Sequence, residues 1–145
     1  LPSGGGFSGT SDSYQADEGS DYTTTSTTFV DVDATNFSLT ITTTGGNVLI
    51  GFYGVVKSGA SQGVHFDVDI DGTRAGLDDG IIGIKSASVD DQMPVTFVHL
   101  ETGLSAASHT FKLQWKRNGG TATLYAGAGT STADYHPQFW VQELN

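Results

Sequence analysis

Residues 109–126 read HTFKLQWKRNGGTATLYA, and this stretch decides the fold class. Phe111, Leu113 and Trp115 alternate with Lys112, Gln114 and Lys116; Ala122, Leu124 and Ala126 alternate with Thr121, Thr123 and Tyr125. A period of two places one face in a core and the other in water, which is the signature of a strand. Between the two runs lies Asn118-Gly119-Gly120, the type of segment that supplies the positive φ of a tight hairpin turn. The reading is antiparallel β structure, with 109–126 as a hairpin.

Working outward, the same period recurs. Phe37, Leu39 and Ile41 alternate over 37–42, and Val64, Phe66, Val68 and Ile70 alternate with His65, Asp67 and Asp69. Shorter strands are predicted over 27–32, 81–84 and 95–100, and 138–144 closes the chain. No window carries the 3.6-residue period of an amphipathic helix, and no apolar run is long enough to span a membrane. About ten closely spaced strands predict an all-β, antiparallel two-sheet jelly-roll sandwich. A length of 145 residues suits one domain.

Residues 48–56 break the alternation. Val48, Ile50, Phe52 and Val56 supply one apolar face, and Leu49, Tyr53 and Val55 supply another. A sandwich buries only one face of each strand, so the second face predicts a subunit interface or cover by another segment. Phe139 and Trp140 are adjacent on the closing strand, so one of them must point away from the core and join that interface.

Residues 1–22 are rich in Gly, Ser and Asp and carry no positive charge. Such a stretch buries too little apolar surface to offset its ordering entropy. It reads as an extended N-terminal arm, flexible or bridging to a neighbouring subunit with Leu1, Phe7, Tyr14 and Tyr22 as anchors, ahead of a jelly-roll domain over 23–145. The chain starts at Leu1, which suits a processed chain or a fragment equally.

The net charge is −10, with only six basic residues. That disfavours nucleic acid and other anionic partners. Cysteine is absent, which removes disulfide and thiolate chemistry. Asp67, Asp69, Asp71 and Asp78 fall at the carboxylate spacing of a calcium loop, with Asp79 beside them. No helical pattern flanks them, Arg74 stands within the run, and the intervening Val68 and Ile70 fit a strand with a wetted face. Calcium is therefore the only cofactor the sequence suggests, against a solvated acidic edge. The histidines lack metal-helix spacing, and no serine lies in a nucleophile elbow, so no catalytic residue is expected. Tyr125, Asp134, Tyr135 and His136, at the end of a long loop, are candidates for a ligand-binding loop. With Trp115 and Trp140, the aromatic rings among them could form a platform for a host-surface glycan.

Three stretches, residues 22–54, 103–127 and 137–144, carry a resemblance to the C1q/TNF-like jelly-roll superfamily, and more narrowly to head domains of phage tail fibres and bacterial surface proteins. The resemblance implies a ten-stranded jelly roll that trimerises through an apolar face. It also implies a structural or binding role at a virion, cell surface or extracellular location, with no enzymatic activity. Residues 1–21 lie outside it. The alternatives kept open are a filament subunit that polymerises by N-terminal strand donation, and a carbohydrate-binding module.

Overall fold

The computed structural model describes residues 9–17, 19–127 and 134–144. Among them are twelve strands and no helix. They are β1 (Ser11–Gln15), β2 (Tyr22–Thr24), β3 (Val30–Asp31), β4 (Ser38–Thr42), β5 (Gly46–Lys57), β6 (Gly63–Ile70), β7 (Thr73–Arg74), β8 (Ile82–Lys85), β9 (Met93–Leu104), β10 (Ser108–Arg117), β11 (Ala122–Leu124) and β12 (Gln138–Leu144). No helix among these residues could cross a membrane.

The strands form two antiparallel sheets packed as a jelly-roll sandwich. In the first sheet, among the described residues, β9 pairs only with β5; β12 and β11 lie end to end along the other side of β5; β1 and β2 flank these in turn. In the second sheet β3 and β4 line one side of β10, β6 the other, and β7 and β8 lie beyond β6. After β2 the chain enters the second sheet at β3 and β4, returns at β5, and continues to swap sheets up to β11. The core lies between the sheets. Phe52 and Phe97 of the first meet Phe66 and Trp115 of the second in a row of rings, with Phe52–Phe66 centroids 5.0 Å apart and Phe66–Trp115 5.9 Å apart.

Phe111, Leu113, Trp115, Ala122, Leu124 and Ala126 are buried as expected, but Thr123 and Tyr125, expected on the wetted face, are buried as well. The hairpin itself is corrected. β10 pairs with β6, β4 and β3, whereas β11 pairs with β5 and β2. The segment Asn118-Gly119-Gly120 crosses from one sheet to the other, with Gly120 at φ 70°. A local turn signal fixes a reversal but not the sheet in which the chain continues, and that choice belongs to the long-range ladders.

The N-terminal boundary also moves. Ser11–Gln15 is a strand of the sandwich, paired residue by residue with β12 of its own chain. Tyr14 and Tyr22 anchor at home, both edge-on to the buried Phe37 ring at 5.2 and 5.4 Å. The edge of β12 needs a hydrogen-bonding partner, and the polar 11–15 segment of the same chain supplies it. Leu1 and Phe7 lie outside the described residues.

The end of the sandwich near Gly9 is tied by Glu143, which is buried. Its carboxylate accepts from the Thr44 N–H at 2.6 Å and the Thr44 hydroxyl at 2.8 Å, and more loosely from Thr10 N–H at 3.3 Å. This joins the turn before β5 to the entry of β1.

Candidate functional site

On strands β5, β9 and β12 the outward positions fall in rows across the sheet. Leu49 lies between Gln142 and Leu100, Gly51 between Trp140 and Val98, and Tyr53 between Gln138 and Thr96; Val55 lies beside Pro94. Tyr53 is 44% exposed, Val98 62% and Leu100 48%. The outer face of the second sheet is different. There β10 presents Thr110, Lys112, Gln114 and Lys116, and β6 presents His65, Asp67 and Asp69. One chain thus has a polar outer face on one sheet and an apolar one on the other.

Trp140 takes part in this contrast. Its indole lies over Gly51, filling the space that a side chain at Gly51 would need. Phe139, the other candidate for the interface, points inward and is fully buried. Adjacent strand residues face opposite ways, so only Trp140 of the two reaches the outer face. Leu49, Tyr53 and Val55 lie there as expected. The residues missed are Pro94, Val98 and Leu100 of β9. The near-continuous apolar run 93–100 is the signal that finds them, being the same doubly apolar pattern as 48–56.

The apolar face ends in a groove of about 440 Å³ lined by Tyr53, Val55, Pro94, Thr96, Tyr135, His136 and Pro137. The ligand-loop residues gather here. The Tyr135 hydroxyl donates to Gln92 Oε1 at 2.9 Å, and the Tyr135 ring stands edge-on to Tyr125 at 5.9 Å. His136 Nδ1 lies 3.1 Å from the Ala16 carbonyl, while its Nε2 lies 3.9 Å from Asp134. Tyr125 is buried behind Tyr135, and Trp115 is core, so neither offers a ring to a ligand. Residues 128–133 of this loop lie outside the described residues.

The five aspartates of the calcium reading do not surround a common point. Among the described residues, no group of three or more His, Cys, Asp or Glu is placed to hold a metal ion. Asp67 is fully buried; Arg74 Nη1 donates to its Oδ2 at 2.5 Å, and the N–H groups of Val68 and Gly76 donate to its Oδ1, each at 2.8 Å. Asp69 accepts from Gly72 N–H at 2.9 Å, closing the β6–β7 turn. Asp71 binds His109, and Asp79 accepts from Lys116 Nζ at 3.1 Å. Asp78 is exposed, and its carbonyl also accepts from Lys116, at 2.7 Å. Lys116 holds Asp79 below the ordinary carboxylate range. Arg74 and Lys116 lie over the Phe29 ring, 4.4 and 5.0 Å from its centroid. The acidic stretch is thus organised by cations of the chain itself.

Sequence spacing did not reveal that Ser105, His109 and Asp71 meet. His109 Nδ1 lies 2.6 Å from Asp71 Oδ2, and Nε2 lies 3.4 Å from the Ser105 hydroxyl. The order of groups is that of a hydrolase triad, but the geometry differs in function. His109 Nε2 is 2.9 Å from the Ser105 carbonyl, an acceptor that requires Nε2 to carry a proton. With Asp71 at Nδ1, both ring nitrogens donate when the ring is protonated. Such an imidazolium has no lone pair with which to take a serine proton. The Asp71 hydrogen bond, followed by the Ser105 carbonyl, raises the pKa of His109. Burial pushes the Asp71 carboxyl up, but the Thr110 N–H and His109 outweigh it and hold it low. The group is a clasp joining the β9–β10 and β6–β7 turns.

A second carboxylate anchor lies near the N-terminus. Tyr22 donates to Asp33 Oδ2 at 3.0 Å. Burial and the neighbouring Asp33 carboxylate raise the tyrosine pKa far above its ordinary value.

No protein-family model matches this chain, and no curated protein matches it significantly in sequence. Solved structures match in outline. The VP2 subviral particle of infectious bursal disease virus aligns at 12% identity and TM-score 0.42, over 94% of this chain and 37% of VP2. Latent PorU from Porphyromonas gingivalis aligns at 11% identity and TM-score 0.37, over 97% of this chain and 14% of PorU. An exo-β-1,3-galactanase from Phanerochaete chrysosporium aligns at 12% identity and TM-score 0.33, over 81% of this chain and 29% of the enzyme. The chain thus spans well under half of each of these proteins, and similarities at this level carry no functional argument. The class defined by the structure is an antiparallel jelly-roll sandwich with one apolar outer face.

Proposed function

We propose that this chain is a non-enzymatic structural or adhesive subunit that self-associates through the outer face of its first sheet. The observation that carries this reading is the face itself: Leu49, Tyr53, Val55, Val98, Leu100 and Trp140 lie outward, with Gly51 leaving space for the indole. Contiguous apolar surface of this kind is what subunit interfaces bury, at about 25 cal/mol per Å². The commitment of both His109 nitrogens to acceptors supports a role other than catalysis. A homotrimer is the assembly that the resemblance to C1q/TNF-like heads implies, and a fibre head, decoration or surface protein is the corresponding setting. Light scattering of the intact chain tests the reading: a discrete oligomer supports it, and a monomer at every concentration overturns it.

The groove supports a second reading, in which a glycan stacks between exposed Tyr53 and Tyr135, with Gln92, Asp134 and His136 near its hydroxyls. Retardation on polysaccharide affinity gels, lost in Tyr135→Ala, tests it.

A further inference from the structure

The outer side of β9 is an open sheet edge. Among the described residues β9 pairs with β5 alone, over ten matched positions from Gly46–Leu104 to Val56–Met93. Backbone groups in a strand alternate between its two edges, so one hydrogen bond sets the direction of the rest. The Val55 carbonyl accepts from the N–H of Tyr125, the residue after β11, at 3.0 Å, on the side of β5 opposite β9. The Phe52 carbonyl, of the other parity, accepts from the Thr96 hydroxyl of β9 at 3.0 Å. Ile50, Phe52 and Gly54 therefore bond to their β9 partners His99, Phe97 and Val95. By the same alternation, Thr96, Val98 and Leu100 direct their N–H and C=O groups to the open edge.

Long apolar edges are normally protected by lysine, proline, a bulge or a covering segment. Here Pro94 stands at one end, and the register shift at Gly46/Val48 lies opposite the other. The stretch 95–100 between them contains neither proline nor a lysine, arginine or carboxylate.

We infer that β9 pairs edge to edge with β9 of a second copy of this chain, antiparallel about a two-fold axis at Val98. The parity fits. Val98 meets its own counterpart, Thr96 meets the counterpart of Leu100, and every edge-facing group finds an edge-facing partner. No like charges come opposite one another, since Glu101 falls against the counterpart of Val95. The side chains of Val98 and Leu100 already lie on the apolar outer face, so the pairing extends that face across two copies. This inference rests on the self-association reading, but it uses main-chain atoms and gives an even-numbered assembly, which mass alone separates from a closed trimer.

Concentration-dependent amide exchange, resolved by residue in NMR, tests it alongside sedimentation of Val98→Pro and Val98→Ala. Proline at position 98 removes a donor that faces the edge and no donor to β5, so it is compatible with an edge strand. Val98→Ala trims the side chain and keeps that donor. The expected result is an even-numbered species in which the Thr96, Val98 and Leu100 amides become protected as it forms. Val98→Pro, shown folded by circular dichroism, should associate about tenfold more weakly than Val98→Ala. An oligomer whose three amides exchange as in the dilute chain, or equal association of the two variants, overturns edge pairing and leaves face packing in place. A chain that never associates overturns both. If Val98→Pro fails to fold, the amide exchange of the unaltered chain decides.

Discussion

Gly51 and Trp140 are directly paired across β5 and β12, and the indole lies in the space that a Gly51 side chain would occupy. A bulky aromatic thus lies flat on the outside of the sandwich because the neighbouring strand carries no Cβ at that position. Gly51→Val should displace the indole and lower stability by about 1–3 kcal/mol, as overpacking does. The checks are the thermal midpoint and the tryptophan emission, which should shift to the red as Trp140 becomes more exposed. Trp115 is buried and serves as the internal reference.

The His109–Asp71 clasp makes a prediction about pH. His109 has a raised pKa, so its contribution is complete below its ordinary value of about 6.5 and is lost as pH rises through the raised value. Asp71 has a lowered pKa, so its contribution is complete above about 3.9 and is lost as pH falls through the lowered value. The clasp is therefore strongest in mildly acidic solution. In His109→Gln the alkaline fall in thermal midpoint should flatten. The loss near pH 5 should be on the order of 1 kcal/mol, because the Asp71 side chain is 46% exposed and solvent screens the pair. Ser105→Ala should leave the profile unchanged, since the carbonyl of Ser105 is the closer acceptor.

Asp67 and Arg74 predict what holds the acidic stretch together. Asp67→Ala leaves Arg74 and two N–H groups without their acceptor, and breaking a buried pair in this way costs about 3 kcal/mol. Adding EDTA or calcium should leave the melting midpoint of the unaltered chain where it was. A rise with calcium that is lost in Asp69→Asn or Asp78→Asn would show that the carboxylates gather around a cation after all.

The N-terminal strand is tested by truncation. Deleting residues 1–16 removes the partner of β12, the Tyr14 ring on Phe37 and the Thr10 contacts to Glu143. Unfolding should remain a single transition at a lower midpoint. If these residues instead served a neighbour, assembly would be lost while the midpoint of the remaining domain held.

Much of the fold was legible because burial follows a period of two. Phe111, Leu113 and Trp115 announce their orientation without any partner in view, as do Val64, Phe66 and Val68. The doubly apolar run 48–56 likewise announced the outer face. Pairing was less legible. The link through Asn118 reads as a hairpin because the turn signal is local, while the preference of β10 for β6 is set by contacts some fifty residues apart, such as Trp115–Phe66. Polar anchors were the least legible. Asp71 and His109 lie 38 positions apart, and neither residue type has a periodic signal. The polar segment 11–15 reads as a linker because its strand character comes from the open edge of β12 rather than from its own side chains.

The central claim is that the outer face of β5, β9 and β12 is an interface between copies of this chain. Sedimentation equilibrium of the intact chain beside a Leu49→Glu/Tyr53→Glu variant tests it most directly. Both positions lie on the outer side of β5, so the charges should leave the core intact, which circular dichroism checks. The account predicts a discrete oligomer for the unaltered chain and, for the folded variant, loss of face packing that leaves at most the β9–β9 pair. A monomeric unaltered chain, or a variant that associates as strongly as its parent, would contradict it.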